Sequence, residues 1–207
     1  MIIDTPAAEG LTGHAADMYR TDLDGDGFVF GYTQAMAVNP EAHQAFEALI
    51  RAAVPSIGVR LYELVTLAAA RAIGSPHCLL AHGRKSLRAE AIDEARLTAL
   101  MRRDDDASGL TPAEAAAVAY AERLSREPTA MTDADTRVLR DRGYTDRQIV
   151  DITIAAAARN FFSRALLALA VPVDDVPGLS PELRETLLAS ISDERSRADA
   201  RATISGG

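Results

Sequence analysis

The sequence predicts an all-α protein, and three observations carry that prediction. Helix starts recur along the chain as a capping residue followed by proline: Asn39-Pro40, Ser75-Pro76, Thr111-Pro112 and Ser180-Pro181. The segments after them are rich in alanine, the best helix former, and their apolar residues return at helical spacing. No segment shows a convincing strand alternation, and no repeat is visible. The simplest organisation is a single-domain helical bundle over residues 39–172. An irregular segment with an acidic, glycine-rich loop precedes it (1–38), and a last helix with a polar tail follows (173–207).

Residues 1–38 carry few ordering signals beyond a short helix around Glu9 to Tyr19. Asp22, Asp24, Asp26 and Gly27 imitate the start of a calcium loop. The twelfth position is Thr33 rather than glutamate and the ninth is Phe30, so an acidic turn is the expectation. Asn39-Pro40 opens a helix that Pro55 should end near Val54, with Ala45, Phe46, Leu49 and Ile50 as its apolar side. A second helix spans Val59 to Ile73, with Leu61, Leu64, Val65 and Ala68 inward and Glu63 interrupting them. A helix from Ser75 to about Leu87 follows, with Arg84, Lys85 and Arg88 suiting its negative end. Another runs over Glu90 to Met101, and the charged run from Arg102 to Gly109 reads as a solvated turn. Thr111 caps a helix to about Ser125, packed through Ala116, Ala119, Tyr120 and Leu124. A short helix from Thr132 to Gly143 precedes a long one from Asp146 to about Leu169. Arg159 and Asn160 stand out in that apolar stretch, either satisfying buried groups or meeting another subunit. After the connection from Val171 to Gly178, the last helix becomes polar from Ser192 onward, and its end should fray or pack on a partner.

The chain has 207 residues, 48% apolar and 5% aromatic, enough for a substantial core. A net charge of -8 and an isoelectric point near 5.0 argue against nucleic acid as a partner. No basic, signal-like N-terminus and no run of 18 uncharged apolar residues is seen, so neither secretion nor a membrane partner is expected. Cytoplasmic residence is the default. A lone cysteine excludes an internal disulfide, so disulfide chemistry needs a thiol from elsewhere.

That cysteine anchors the candidate site. Gly74 terminates one helix, Ser75 caps the next, and Pro76, His77 and Cys78 take its first three positions. The unpaired amides and positive end of a helix favour a thiolate there. His82 lies one turn on, on the same face, so a nucleophile and a base stand side by side. Glu63 can hold a proton or orient His82, or it can be a surface carboxylate. Cys78 can equally be a small buried hydrophobe, and His77 a capping or surface residue. A metal held by Glu63, His77, Cys78 and His82 is disfavoured, because adjacent residues point about 100° apart on a helix.

At Glu63, Ser75, His77, Cys78 and His82 the sequence resembles the alkylhydroperoxidase-D-like and carboxymuconolactone decarboxylase superfamily. The peroxidase branch has a glutamate, then C-x-x-C twelve residues on, then a histidine. Here Glu63 is followed by Ser75-Pro76-His77-Cys78 and then His82, and His77 matches a histidine just before the second cysteine. The resemblance covers roughly residues 39–172. It implies a helical bundle of the alkylhydroperoxidase-D-like type that assembles as a homo-oligomer, a dimer, trimer or hexamer. It implies no cofactor and no required metal. In the two-cysteine enzymes the thiols cycle through a disulfide while the glutamate and histidine assist proton transfer. Ser75 replaces the first of those cysteines, so this cycle is closed to the chain.

Three functions follow as expectations. The first is a single-cysteine peroxidase in which Cys78 attacks a small-molecule peroxide, His82 and Glu63 move the proton, His77 tunes the site, and an external thiol is the reductant. The second is a decarboxylase-like enzyme using His77 or His82 on a small carboxylate or lactone. The third is a non-catalytic oligomeric interaction protein in which Ser75 marks a retired centre.

Overall fold

The computed structural model describes the backbone of residues 1–205 and the side chains of residues 1–193. Ten α-helices and no strand occur among the described residues. The expectation of a frayed or partner-bound polar tail falls mostly on side chains outside them.

The centre is α3 (Pro40–Ile73), 34 residues long. It packs most extensively against α9 (Asp146–Ala168) and α7 (Pro112–Arg126), and then against α4 (Pro76–Arg88). By length and composition α3 could cross a membrane, with a mean hydropathy of 1.3 over its best stretch. Yet 61% of that stretch is buried among the neighbouring helices, as in a core helix. Sequence spacing places a helix end at Pro55, but the helix runs through it and breaks at Gly58, at φ 78° and ψ 159°. Glycine tolerates positive φ, whereas an internal proline only removes one hydrogen bond and crowds the preceding turn.

Beyond the break, Leu61, Leu64, Val65 and Ala68 are buried as expected. Before it, Phe46 and Ile50 are half-buried, but Ala45 and Leu49 are exposed. Two polar residues, His43 and Glu47, share the inner side instead. The stripe on α7 is likewise offset. Ala117, Tyr120 and Ala121 are buried with Glu122 and Ser125, while Ala119 is exposed. Polar residues on a buried face hide its true centre from a reading of apolar spacing.

The N-terminal segment is helical rather than irregular, with α1 (Gly13–Asp26) and α2 (Gly31–Met36). Asp22, Asp24 and Asp26 lie in the last turns of α1, so no calcium loop forms; Gly27 caps the helix at φ 78°. Asp22 accepts from the Phe30 amide at 3.0 Å, and Asp26 pairs with Arg84. Asp174 accepts from the Gly31 amide at 2.9 Å, tying α2 to the connection before the last helix.

Three shorter helices complete the middle of the chain. They are α5 (Glu94–Arg102), the single turn α6 (Asp105–Ser108) inside the charged run, and α8 (Asp133–Asp141). Capping boxes start α7, α8 and α9 at Thr111, Thr132 and Thr145. The last helix, α10 (Pro181–Ser205), lies over α4. A Cβ at Gly83 would meet Leu187 Cδ1 at 2.9 Å, so a larger residue on α4 would make that side chain of α10 shift.

Glu122 is buried and receives Arg71, Arg126 at 2.9 Å and Arg103 at 3.2 Å. Arg71 also donates to the Leu100 carbonyl at 2.6 Å, joining α3, α5 and α7. Removing one partner of a buried ion pair leaves a stranded charge. Glu122→Ala is therefore expected to lower unfolding stability by about 3–5 kcal/mol in urea titrations. A change within 0.5 kcal/mol, roughly that of a surface substitution, would refute this role.

Candidate functional site

A tight turn builds the site. Gly74 adopts φ 78° after α3, and its amide bonds back to the Ala70 and Arg71 carbonyls. Ser75 takes the N-cap position of α4, with Pro76, His77 and Cys78 as its first three residues, as the sequence predicts. The Ser75 side chain makes no capping hydrogen bond, however. Its hydroxyl is fully buried and has no partner.

The structure pairs His82 with Glu63 and places Cys78 and His82 on one cavity. Cys78 and His82 are both buried and line one cavity of about 250 Å³. His82 Nδ1 lies 2.7 Å from Glu63 Oε2, so the surface-carboxylate reading of Glu63 does not hold. Burial, reinforced by the Arg159 charge, pushes the His82 imidazole from 6.5 down to about 4 against the pull of Glu63. At neutral pH the ring is therefore uncharged. Its Nδ1–H donates to the carboxylate, which leaves the lone pair on Nε2. Burial pushes Glu63 upward, but the charge and hydrogen bond of His82 outweigh it and hold the carboxyl below its ordinary value.

His77 also lines the cavity, and its Nε2 lies 2.8 Å from the Val171 carbonyl. That contact makes Nε2 the donor and leaves Nδ1 as a buried acceptor without a partner. The ring thus fastens α4 to the connection after α9. It is neither a capping nor a surface residue.

Residues from α9 complete the sulfur's surroundings. Ser163 Oγ donates to Cys78 Sγ at 3.2 Å, and Arg159 Nη1 donates at 3.5 Å. Arg159 is buried, places Nη2 3.5 Å from the Tyr62 hydroxyl, and sets its guanidinium 5.5 Å from the Phe162 ring centroid. Tyr62 meets His82 edge to face at 6.1 Å. Arg159 serves a buried group, the cysteine, whereas the Oδ1 of Asn160 has no partner. Sequence reasoning did not connect Ser163 or Tyr62 to the site. The available signal was Arg159 and Ser163 one helical turn apart, both polar in an apolar helix.

Residues 40–123 match the carboxymuconolactone decarboxylase family. No curated protein matches the sequence. Among solved structures, the fold is similar to an alkylhydroperoxidase AhpD core, a peroxidase-related protein from Ralstonia eutropha JMP134. That likeness has a TM-score of 0.70 and 20% identity, over 90% of this chain and 95% of the other. A peroxidase-related protein from Silicibacter sp. TM1040 gives 0.65 and 21%, over 85% and 93%. The debrominase Bmp8 gives 0.71 and 19%, over 92% and 98%. The resemblance to the alkylhydroperoxidase-D-like and carboxymuconolactone decarboxylase superfamily is borne out, and the chain has its all-α fold.

The buried histidine has a thermodynamic consequence. An unfolded chain takes a proton on His82 near 6.5, whereas the folded chain resists it to about 4. Stability is thus fully present above the first value and is lost as pH falls toward the second. The lowered Glu63 carboxyl adds a further loss below its ordinary 4.5. The thermal midpoint should fall as the buffer is taken from 6.5 to 4.5, and His82→Gln should flatten part of that fall, the rest including the lowered His43. An unchanged slope in the variant would contradict the buried neutral imidazole.

Proposed function

We propose that this protein is a single-cysteine oxidoreductase that reduces small organic peroxides at the expense of an external thiol. The observation that carries the reading is Cys78 Sγ receiving both the Arg159 guanidinium and the Ser163 hydroxyl at the wall of a cavity. A cation and a hydroxyl donor are the partners a thiolate takes.

His82 Nε2 removes the thiol proton while Glu63 holds the ring from behind. The thiolate attacks the outer peroxide oxygen and the O–O bond breaks. The departing alkoxide takes the proton back from His82, leaving an alcohol and a sulfenic acid on Cys78. Sulfur has been oxidised by two electrons and the peroxide reduced by two. A first external thiol condenses with the sulfenic acid, releasing water and forming a mixed disulfide. A second thiol releases Cys78 and leaves as the external disulfide. Ser75 takes no part, since a hydroxyl cannot resolve the sulfenic acid.

The aromatic walls of the cavity, Tyr32, Phe46, Tyr62 and Phe162, favour a second reading. They suit a planar ring, and a cysteine-to-alanine variant of the debrominase Bmp8 has been seen in complex with 2,3,4-tribromopyrrole. Here the Cys78 thiolate would take the halogen from a halogenated aromatic and the ring carbon would take a proton. An external thiol would then displace halide to give the same mixed disulfide. A decarboxylase-like reaction driven by His82 needs no sulfur, so loss of Cys78 separates it from both. The cavity at Cys78 and the His82–Glu63 pair on the same site speak against a retired centre.

With dithiothreitol as reductant, the wild type should consume cumene hydroperoxide. Cys78→Ser should abolish turnover with its fold intact, and His82→Ala should reduce it by about 10²-fold or more. Equal turnover in wild type and Cys78→Ser would overturn the mechanism. Halide release from a bromopyrrole without peroxide consumption would select the second reading.

A further inference from the structure

A second group of side chains, outside the thiol site, converges at the mouth of the cavity. His14 projects from the first turn of α1, and His43 and Glu47 lie one turn apart on α3. His14 Nε2 is 2.9 Å from His43 Nδ1 and 3.7 Å from Glu47 Oε2, and the three atoms all lie within 4.8 Å of one another. Zinc bonds to nitrogen and carboxylate oxygen of about 2.0–2.2 Å set tetrahedral ligand atoms roughly 3.3–3.5 Å apart. The two measured separations fall on either side of that spacing.

The donor set and the space around it agree. Two imidazoles and one carboxylate form a zinc set that leaves a fourth position open. His43 and Glu47 line both the cavity that holds Cys78 and an adjoining one of about 570 Å³, and His14 lines the larger. An open position therefore faces space. Arg51 lies 3.5 Å from Glu47 Oε2 and orients the carboxylate.

We propose that His14, His43 and Glu47 bind one divalent transition-metal ion, with zinc the best fit. Its fourth position is open to water or to a small anionic oxygen ligand in the cavity. Without the ion, the two imidazoles share an N–H···N hydrogen bond. Binding replaces that bond as one ring proton moves to the outward nitrogen, so no net proton is released from a neutral pair. The ion also ties α1 to α3. This site stands independently of the peroxidase reading.

The full chain, stripped with a chelator and titrated with zinc sulfate by calorimetry, should bind one ion. Its thermal midpoint should rise with free zinc. The double variant His14→Gln/His43→Gln should weaken binding at least a hundredfold, while Cys78→Ser should leave stoichiometry and affinity unchanged. Glu47→Gln, which keeps the side-chain shape, should weaken binding at least tenfold and carries the test if the double variant folds poorly. Cobalt(II) bound to the wild type should show no thiolate charge-transfer band. Absence of saturable binding, full binding in the histidine or Glu47 variants, or its loss in Cys78→Ser would overturn the site.

Discussion

The site is organised by a guanidinium buried beside a sulfur. Arg159 is 5% exposed, its Nε has no partner, and its remaining polar contacts are Cys78 and the Tyr62 hydroxyl, each at 3.5 Å. A cation in that position is costly unless an anion lies close by. The Glu63 carboxylate feels Arg159, but its hydrogen bond goes to His82. In the proposed reaction, the thiolate formed on Cys78 would supply an anion directly beside Arg159. The same positive charge helps hold the His82 imidazole neutral.

The fold exists to hold that pair in register. The α3–α4 turn at Gly74 folds the Glu63 helix back on the Cys78 helix, and α9 crosses both to deliver Arg159 and Ser163. His77 pins the start of α4 to the end of α9 through the Val171 carbonyl. Ser75 bonds through its backbone, to the Ala70 carbonyl and from the Leu79 amide, but not through its hydroxyl. Its stranded hydroxyl is a small liability of about 1–3 kcal/mol for an unsatisfied buried group. It occupies the place where the peroxidase-like motif of the resembling family carries sulfur.

Much of this could be read from the chain, and the misses share a cause. Cap-and-proline pairs placed the starts of α3, α4, α7 and α10 correctly, because cap chemistry is local. The spacing from Glu63 to His82 conveyed the dyad, which the 2.7 Å contact confirms as geometry. Apolar spacing failed where a buried face carries functional or ion-paired residues, as with His43 and Glu47 on α3 and Glu122 on α7. The two N-terminal helices were hidden for a related reason. The apolar contacts of α1 form only a small cluster around Ala15, Met18, Tyr19 and Ala37, and polar ties such as Asp22 to Phe30 and Asp174 to Gly31 supplement it. Ser163 and Tyr62 reach the sulfur and the guanidinium only through tertiary packing, which no short-range pattern encodes.

The proposed mechanism requires Arg159 to stabilise the thiolate that forms on Cys78. The most direct measurement is the rate at which Cys78 gains one oxygen, by mass spectrometry, after one equivalent of cumene hydroperoxide at neutral pH. Wild type and a folded Arg159→Gln variant are compared. Rapid addition in the wild type, slowed at least tenfold without the guanidinium, is the predicted result. Equal rates in the two proteins, or a thiol that stays unmodified in the wild type, would contradict it.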